Sequence, residues 1–190
     1  MQQIKGAVLK SRLAFIEEHF GKDALPRVLA ILPTDDQRAL KLVFTSNWYA
    51  FDIGKRLDDA IVAVLGAGKP ELFERMGAAS AAKNLGSLHS GFIAPGNPKA
   101  FLEKTPSIYS MYYESGHREF KSTGERSAVL TTHDAETFSA PDCLTVVGWY
   151  RKALEMCGAQ GVRVVEEECR ARGGKVCRYA VSWTSESAIA

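Results

Sequence analysis

Residues 142–183 read DCLTVVGWYRKALEMCGAQGVRVVEEECRARGGKVCRYAVSW, a helix followed by a β-hairpin, and this stretch decides the fold. Cys143, Val146, Val147, Tyr150, Leu154 and Cys157 recur at steps of three and four, the spacing of one helix face. Asp142, after Pro141, is placed to cap that helix, and Gly158 to stop it. Residues 162–169 and 175–183 then read as two strands, with RARGG at 170–174 turning between them.

The spacing of the four cysteines decides which of them can meet. Cys143 and Cys157 share a helix face but lie about 21 Å apart at roughly 1.5 Å per residue, so they cannot bind one ion. A strand running back along the helix from Val162, at about 3.3 Å per residue, brings Cys169 level with Cys143. Cys177 lies opposite Cys169 across the hairpin. Cys143, Cys169 and Cys177 therefore converge. Three thiolates and a carboxylate close a tetrahedral zinc shell and leave no position for a substrate, so such a site is structural. Glu166 is a candidate fourth ligand, with Glu167 and Glu168 as rivals. Three residues before Cys169, Glu166 points to the opposite face of a regular strand, and a bulge near Glu167 would bring it round. The competing reading is that these thiols are small apolar core residues. A disulfide ranks behind both, since no secretory-type leader is seen and the chain reads as cytoplasmic.

The pattern Glu166-x-x-Cys169-x7-Cys177, preceded by Cys143, resembles the zinc site of the 4-vinyl reductase domain. That domain occurs in phenol-sensing parts of bacterial transcription activators. It shares the "NO signalling and Golgi transport ligand-binding" fold with a core subunit of the vesicle-tethering TRAPP complex. The whole chain is similar to a paralogous myxobacterial family of nearly the same length. GAVLKSRLAFIEEHFG (6–21), NWYAFDIGKRLDDAI (47–61) and the quoted C-terminal stretch carry this likeness. The resemblance implies Cys143, Glu166, Cys169 and Cys177 as zinc ligands. It also implies an apolar pocket near Phe120, Val147 and Val164, and a homodimer. Ser122 falls where the phenol sensors carry a tryptophan, which argues against phenol itself as ligand.

With 24 Lys and Arg against 22 Asp and Glu, interspersed, the chain has a net charge of +2. That gives no electrostatic case for nucleic acid or an anionic membrane. No segment approaches the roughly 20 apolar residues of a membrane span. Residues 1–184 read as one ligand-binding domain and residues 185–190 as a flexible tail.

The first two-thirds read as helical. Helices are expected over 6–20, 23–32, 51–65, from Pro70 toward Leu88, and over 97–113 with Pro106 kinking or splitting the last. Strands are expected from Phe120 and over 128–133. Helices followed by two hairpins around one helix spell α+β, with a helical N-terminal part packed on a small antiparallel sheet. The small residues at 77–82 suit close helix packing, within the core or across a homodimer interface.

Tyr109, Tyr112 and Tyr113 fall within about one helical turn, so part of the group must face inward, as core or as the wall of a lipophilic pocket. His89 and His117 are candidate haem ligands, although local hydrogen bonding or exposure explains each more simply. His133-Asp134 has no serine elbow to serve, so nucleophilic catalysis has no support. The expected function is a zinc-stabilised, non-enzymatic sensory domain that takes a small apolar molecule and signals through a protein partner. A ligand-free scaffold and a haem-linked gas sensor are the alternatives.

Overall fold

The computed structural model describes residues 2–87, 89–136 and 139–186. Strand β1 (Gln3–Lys5) runs directly into α1 (Gly6–Phe20), which Gly21 ends with φ 83°. Helices α2 (Ala24–Ala30) and α3 (Thr34–Lys41) follow, and β2 (Trp48–Ala50) returns antiparallel to β1 with Ile4 opposite Tyr49. Neither α3 nor the β1–β2 pair is expected from the sequence. In TDDQRALK only Asp36 and Leu40 are buried, too little apolar periodicity to mark a helix. The paired strands are only three residues each.

Helix α4 (Phe51–Val64) and α5 (Leu72–Leu85) come next. The expected extension of α5 reaches Leu88, which lies outside the described residues. The helix anticipated over 97–113 is split into α6 (Pro98–Glu103) and α7 (Thr105–Tyr112), with Pro106 in the first turn of the second. There its missing N–H costs nothing.

Strands β3 (His117–Gly124) and β4 (Ser127–His133) precede α8 (Ala140–Met156). After α8 come β5 (Ala159–Gln160), β6 (Arg163–Glu168), β7 (Cys177–Ser182) and β8 (Ser185–Glu186). The main sheet is antiparallel in the order β3-β4-β7-β6, and with the helices it makes the α+β architecture that the sequence implied. The register puts Arg118 opposite Thr132, Phe120 opposite Leu130, Leu130 opposite Tyr179, and Val181 opposite Val164. These residues share the sheet face that α8 covers. Ser185 and Glu186, read as the start of a tail, pair with Gln160 and Ala159; residues 187–190 lie outside the described residues.

Two apolar cores result. One gathers Leu9, Ile16, Leu57, Ile61 and Phe73 among the N-terminal helices, and the other gathers Leu130, Val147, Leu154, Tyr179 and Val181 between α8 and the sheet. Helix α5 spans both and packs on α8 at backbone distance. A methyl group at Gly77 would overlap the Thr145 carbonyl, and one at Gly148 would overlap the Glu74 carbonyl. Part of the small-residue run is thus used inside the chain: Gly77 and Ala81 are buried, while Ala82 is exposed.

A buried ion cluster joins the cores. Arg12 of α1 is 2% exposed and grips Asp58 of α4 with both Nε and Nη2, while Nη2 also donates to Asp142 Oδ1 of α8 at 2.7 Å. The Tyr113 hydroxyl donates to the same Asp142 carboxylate, lying 3.0 and 3.1 Å from its two oxygens. Removing one partner of such a cluster leaves buried charge uncompensated. Arg12→Ala is therefore expected to cost about 3–5 kcal/mol. Arg38→Ala, which breaks the exposed pair with Asp35, should cost under about 1 kcal/mol. Equilibrium urea unfolding of both variants checks this, and equal losses would refute the role given to Arg12.

Candidate metal centre and adjoining cavity

Three elements deliver the cysteines. Ser139, with extended backbone, caps α8 by accepting the Asp142 N–H at 3.1 Å. The sequence reading gave that role to Asp142. Because Pro141 lies inside the first turn, the cap falls three residues earlier, and the Asp142 carboxylate is released to meet Arg12. Cys143 then points from the first turn of α8 toward the hairpin. Between β6 and β7 the register slips: Glu166 pairs with Tyr179 but Glu168 pairs with Arg178, so Glu167 is the extra residue of a bulge. The hairpin closes through a short 3-10 turn at Arg170–Arg172, and Gly173 takes a left-handed φ of 88°.

The Cys143 Sγ atom lies 3.7 Å from that of Cys177 and 3.6 Å from that of Cys169, and all three sulfurs fall within 4.8 Å of one another. A Zn–S bond of about 2.3 Å in a tetrahedron requires sulfurs about 3.8 Å apart, whereas a disulfide needs about 2.05 Å. The spacing fits a shared metal ion and no covalent link. Cys157 is buried at the far end of α8 and takes no part in this group.

Glu166 is not among the ligand atoms that lie within 4.8 Å of one another, and its candidacy rests on its burial. Its side chain is 4% exposed, Arg172 holds Oε2, and Oε1 is buried without a hydrogen-bond partner among the described residues. The carboxylate is close enough for its charge to oppose ionisation of Cys169 and Cys177. A buried acceptor left open beside three thiols is what a fourth ligand requires. The rivals are otherwise placed: Glu167 is exposed, and Glu168 accepts the Lys175 N–H at 2.8 Å and pairs with Arg178 at 3.0 Å. The hydrogen bond with Cys143 draws the Cys177 thiol down to about 7, helped by the Arg170 N–H, while its bonds to both partners push Cys143 well up. One thiolate is therefore within reach near neutral pH, and thiolate is the form that binds metal.

A cavity of about 80 Å³ lies beside this centre, well above the roughly 10–15 Å³ that one water needs. Tyr109, Tyr112 and Tyr113 line it from the α7 side, Val146, Trp149 and Tyr150 from α8, Met76 from α5 and Arg118 from β3. A smaller cavity of about 20 Å³, shared by Arg118, Val146, Cys143 and Cys177, continues it toward the sulfurs. The three tyrosines picked from the sequence thus stand in the wall. Val147 and Val164 are buried in the core between α8 and the sheet, Phe120 packs against that core, and none of the three lines this cavity. Successive helix positions are about 100° apart, so Val146 faces the cavity while Val147 faces the sheet.

The sequence reading passed over Arg118 because it began the strand at Phe120. The alternation that turns Phe120 inward turns Arg118 inward as well, and that was the available signal. Among the described residues no histidine lines the cavity. His89 packs outside it, its ring 6.1 Å from those of Phe92 and Tyr112. His117 stacks on His133 at 5.1 Å on the outer sheet face, and His133 Nε2 lies 2.9 Å from Glu119.

A family model described as protein of unknown function (DUF2378) matches residues 65–184, and the chain belongs to that family. No curated protein matches the sequence. Among solved structures, the Fe(II) unliganded H-NOX protein from K. algicida aligns with TM-score 0.71 at 12% identity, covering 98% of this chain and 100% of that one. The H-NOX protein from S. oneidensis in the Fe(II)NO ligation state gives 0.71 at 12%, covering 95% and 99%. A structure from work on haem distortion in the H-NOX family gives 0.70 at 10%, covering 96% of each chain. At such identities the likeness establishes a shared fold.

The cap that sets the first turn of α8 yields a direct test. Ser139→Ala should cost about 0.5–2 kcal/mol, and Ser139→Asp should retain most of that stability. If urea unfolding shows Ser139→Ala unchanged, the cap does not position Cys143 as described.

Proposed function

We propose that this DUF2378 chain is a zinc-stapled, non-enzymatic domain that binds a small apolar molecule and passes the signal to a protein partner. The observation that carries the reading is the cavity beside the first turns of α8, walled mainly by tyrosine, tryptophan and aliphatic side chains, with Arg12, Arg118, Ser80 and Asn84 among them. Apolar concavities with a few polar groups are what small ligands occupy. The shared H-NOX fold supports it, as does the cysteine and glutamate spacing that resembles the 4-vinyl reductase domain. Cys143, Cys169, Cys177 and Glu166 would hold the ion. Four protein ligands make the metal a staple whose binding energy is folding energy.

The route from ligand to partner starts at α8. Val146 in the cavity wall and Cys143 in the metal group are one turn apart, so a ligand that shifts the wall acts on the helix end held by the metal. Homodimerisation through the helices stays part of the proposal on the resemblance alone, since the buried positions of the small-residue run serve α8. Among the described residues no helix is long and apolar enough to cross a membrane. A ligand-free scaffold of the TRAPP-subunit kind is the reading that an always-empty cavity would favour.

A haem-linked gas sensor is the second reading, and the fold favours it, because one of the similar structures comes from work on haem distortion in the H-NOX family and another from work on haem redox potential. The residues here do not fit that group well. Histidine is missing from the described wall, His89 stands behind Tyr112, and cysteines reach only the smaller cavity, so tyrosines and Met76 are the haem-ligand types that the wall offers. A Soret band in protein purified from haem-replete cells would revive it.

Metal analysis of protein purified without chelator under reducing conditions should return about one zinc per chain. Cys143→Ser should lose the metal and destabilise the hairpin, whereas Cys157→Ser should keep it. The reverse pattern would sink the assignment. Val146→Trp, which fills the cavity, should abolish binding of small aromatic probes by calorimetry while leaving zinc content unchanged.

A further inference from the structure

The cavity holds a cation that the fold leaves without a counter-charge. Arg118 is 5% exposed and lines both cavities. The other buried arginine, Arg12, is met by two carboxylates. Arg118 forms no ion pair among the described residues, and the carboxylate that lines the smaller cavity with it, Asp142, is held by Arg12. Its guanidinium donates from Nη1 to the Tyr150 hydroxyl at 3.3 Å, and its Nε is buried with no partner. The rings of Tyr109, Tyr150 and Tyr179 surround the guanidinium carbon at 5.3, 5.4 and 5.3 Å. Their faces temper the charge but leave the Nε edge of the fork open. A guanidinium edge presents parallel N–H groups, the geometry that binds a carboxylate with two hydrogen bonds.

We propose that Arg118 anchors a ligand subsite and that the cavity takes a small cyclic carboxylate, its anionic head on the Nε edge of Arg118 and its ring among Tyr109, Tyr112, Val146 and Trp149. This rests on the cavity being a ligand site at all. A neutral ring of the same size fills the apolar part but leaves the buried charge unmet, and an ammonium is repelled by it. A rival role for Arg118 is as counter-ion to the metal centre, since Arg118 and Cys177 share the smaller cavity.

The test is calorimetric titration of the zinc-loaded full chain with benzoate, cyclohexanecarboxylate, benzyl alcohol and benzylamine. The acids should bind roughly 10- to 100-fold more tightly than benzyl alcohol, the range expected of hydrogen bonds to a charged group, and benzylamine should not bind. Arg118→Gln should erase the preference while keeping zinc and the weak binding of benzyl alcohol, and Arg118→Lys should restore part of it. Acid and alcohol binding equally to the unmodified protein, or a preference that survives Arg118→Gln, overturns the anionic subsite and leaves the cavity reading standing. Failure of all four probes overturns both. Zinc loss in Arg118→Gln together with no acid preference in the unmodified chain assigns Arg118 to the metal centre instead. Should Arg118→Gln not fold, the ranking of the four probes on the unmodified protein still decides.

Discussion

The meeting of Arg12 with Asp142 carries more of this structure than any other single contact. Arg12 belongs to the N-terminal helical core, and Asp142 to the first turn of the helix that covers the sheet. Their bond, at 2.7 Å and buried, fixes how the two cores meet. Asp142 also precedes Cys143 and receives the Tyr113 hydroxyl. One carboxylate therefore sets the position of α8 against α1, the aim of the first thiol, and one wall of the cavity. Such a charge cluster is expensive to bury and adds little net stability over an apolar equivalent. Its value here is geometric, because the N-terminal core, the metal group and the cavity would otherwise be registered only by apolar packing.

The metal group and the cavity are consequently neighbours by construction. α8 gives Cys143 to one and Val146 to the other, and Arg118 stands between them in the smaller cavity. The bulge at Glu167 sets the register of the hairpin, with Glu166 before it opposite Tyr179 and Glu168 after it opposite Arg178. Arg172, on the 3-10 turn, then holds the Glu166 carboxylate from outside. In the sensory reading proposed above, the hairpin against α8 would be the rigid part against which displacement is read.

What could be read beforehand follows from which constraints are local. The helix at Gly6–Phe20 and the one beginning at Phe51 have apolar periods and glycine stops, and both were legible. The convergence of Cys143, Cys169 and Cys177 was legible too, because helix rise and strand rise fix it arithmetically. So was the need for a bulge near Glu167. Ser139 was missed as the cap because Pro141 made the residue after it look like the start. Arg118 was missed because the strand was begun at Phe120, although it starts at His117 and its alternation turns Arg118 inward with Phe120. The side of α8 that faces the cavity could not be had from the sequence, because Val146 and Val147 are equally apolar and only the packing of α5 chooses between them.

The glycine contact between α5 and α8 has a mechanical consequence. With Gly77 on Thr145 and Gly148 on Glu74, no side chain lies between the two backbones to flex or change rotamer. The pair is stiff in the way a laminated beam is stiff, and neither helix can slide without breaking van der Waals contact along its length. A displacement of α8 at the cavity wall therefore moves α5 with it, and the exposed positions of α5 at Ala82 and Lys83 move as one body with Ser80 and Asn84 in that wall.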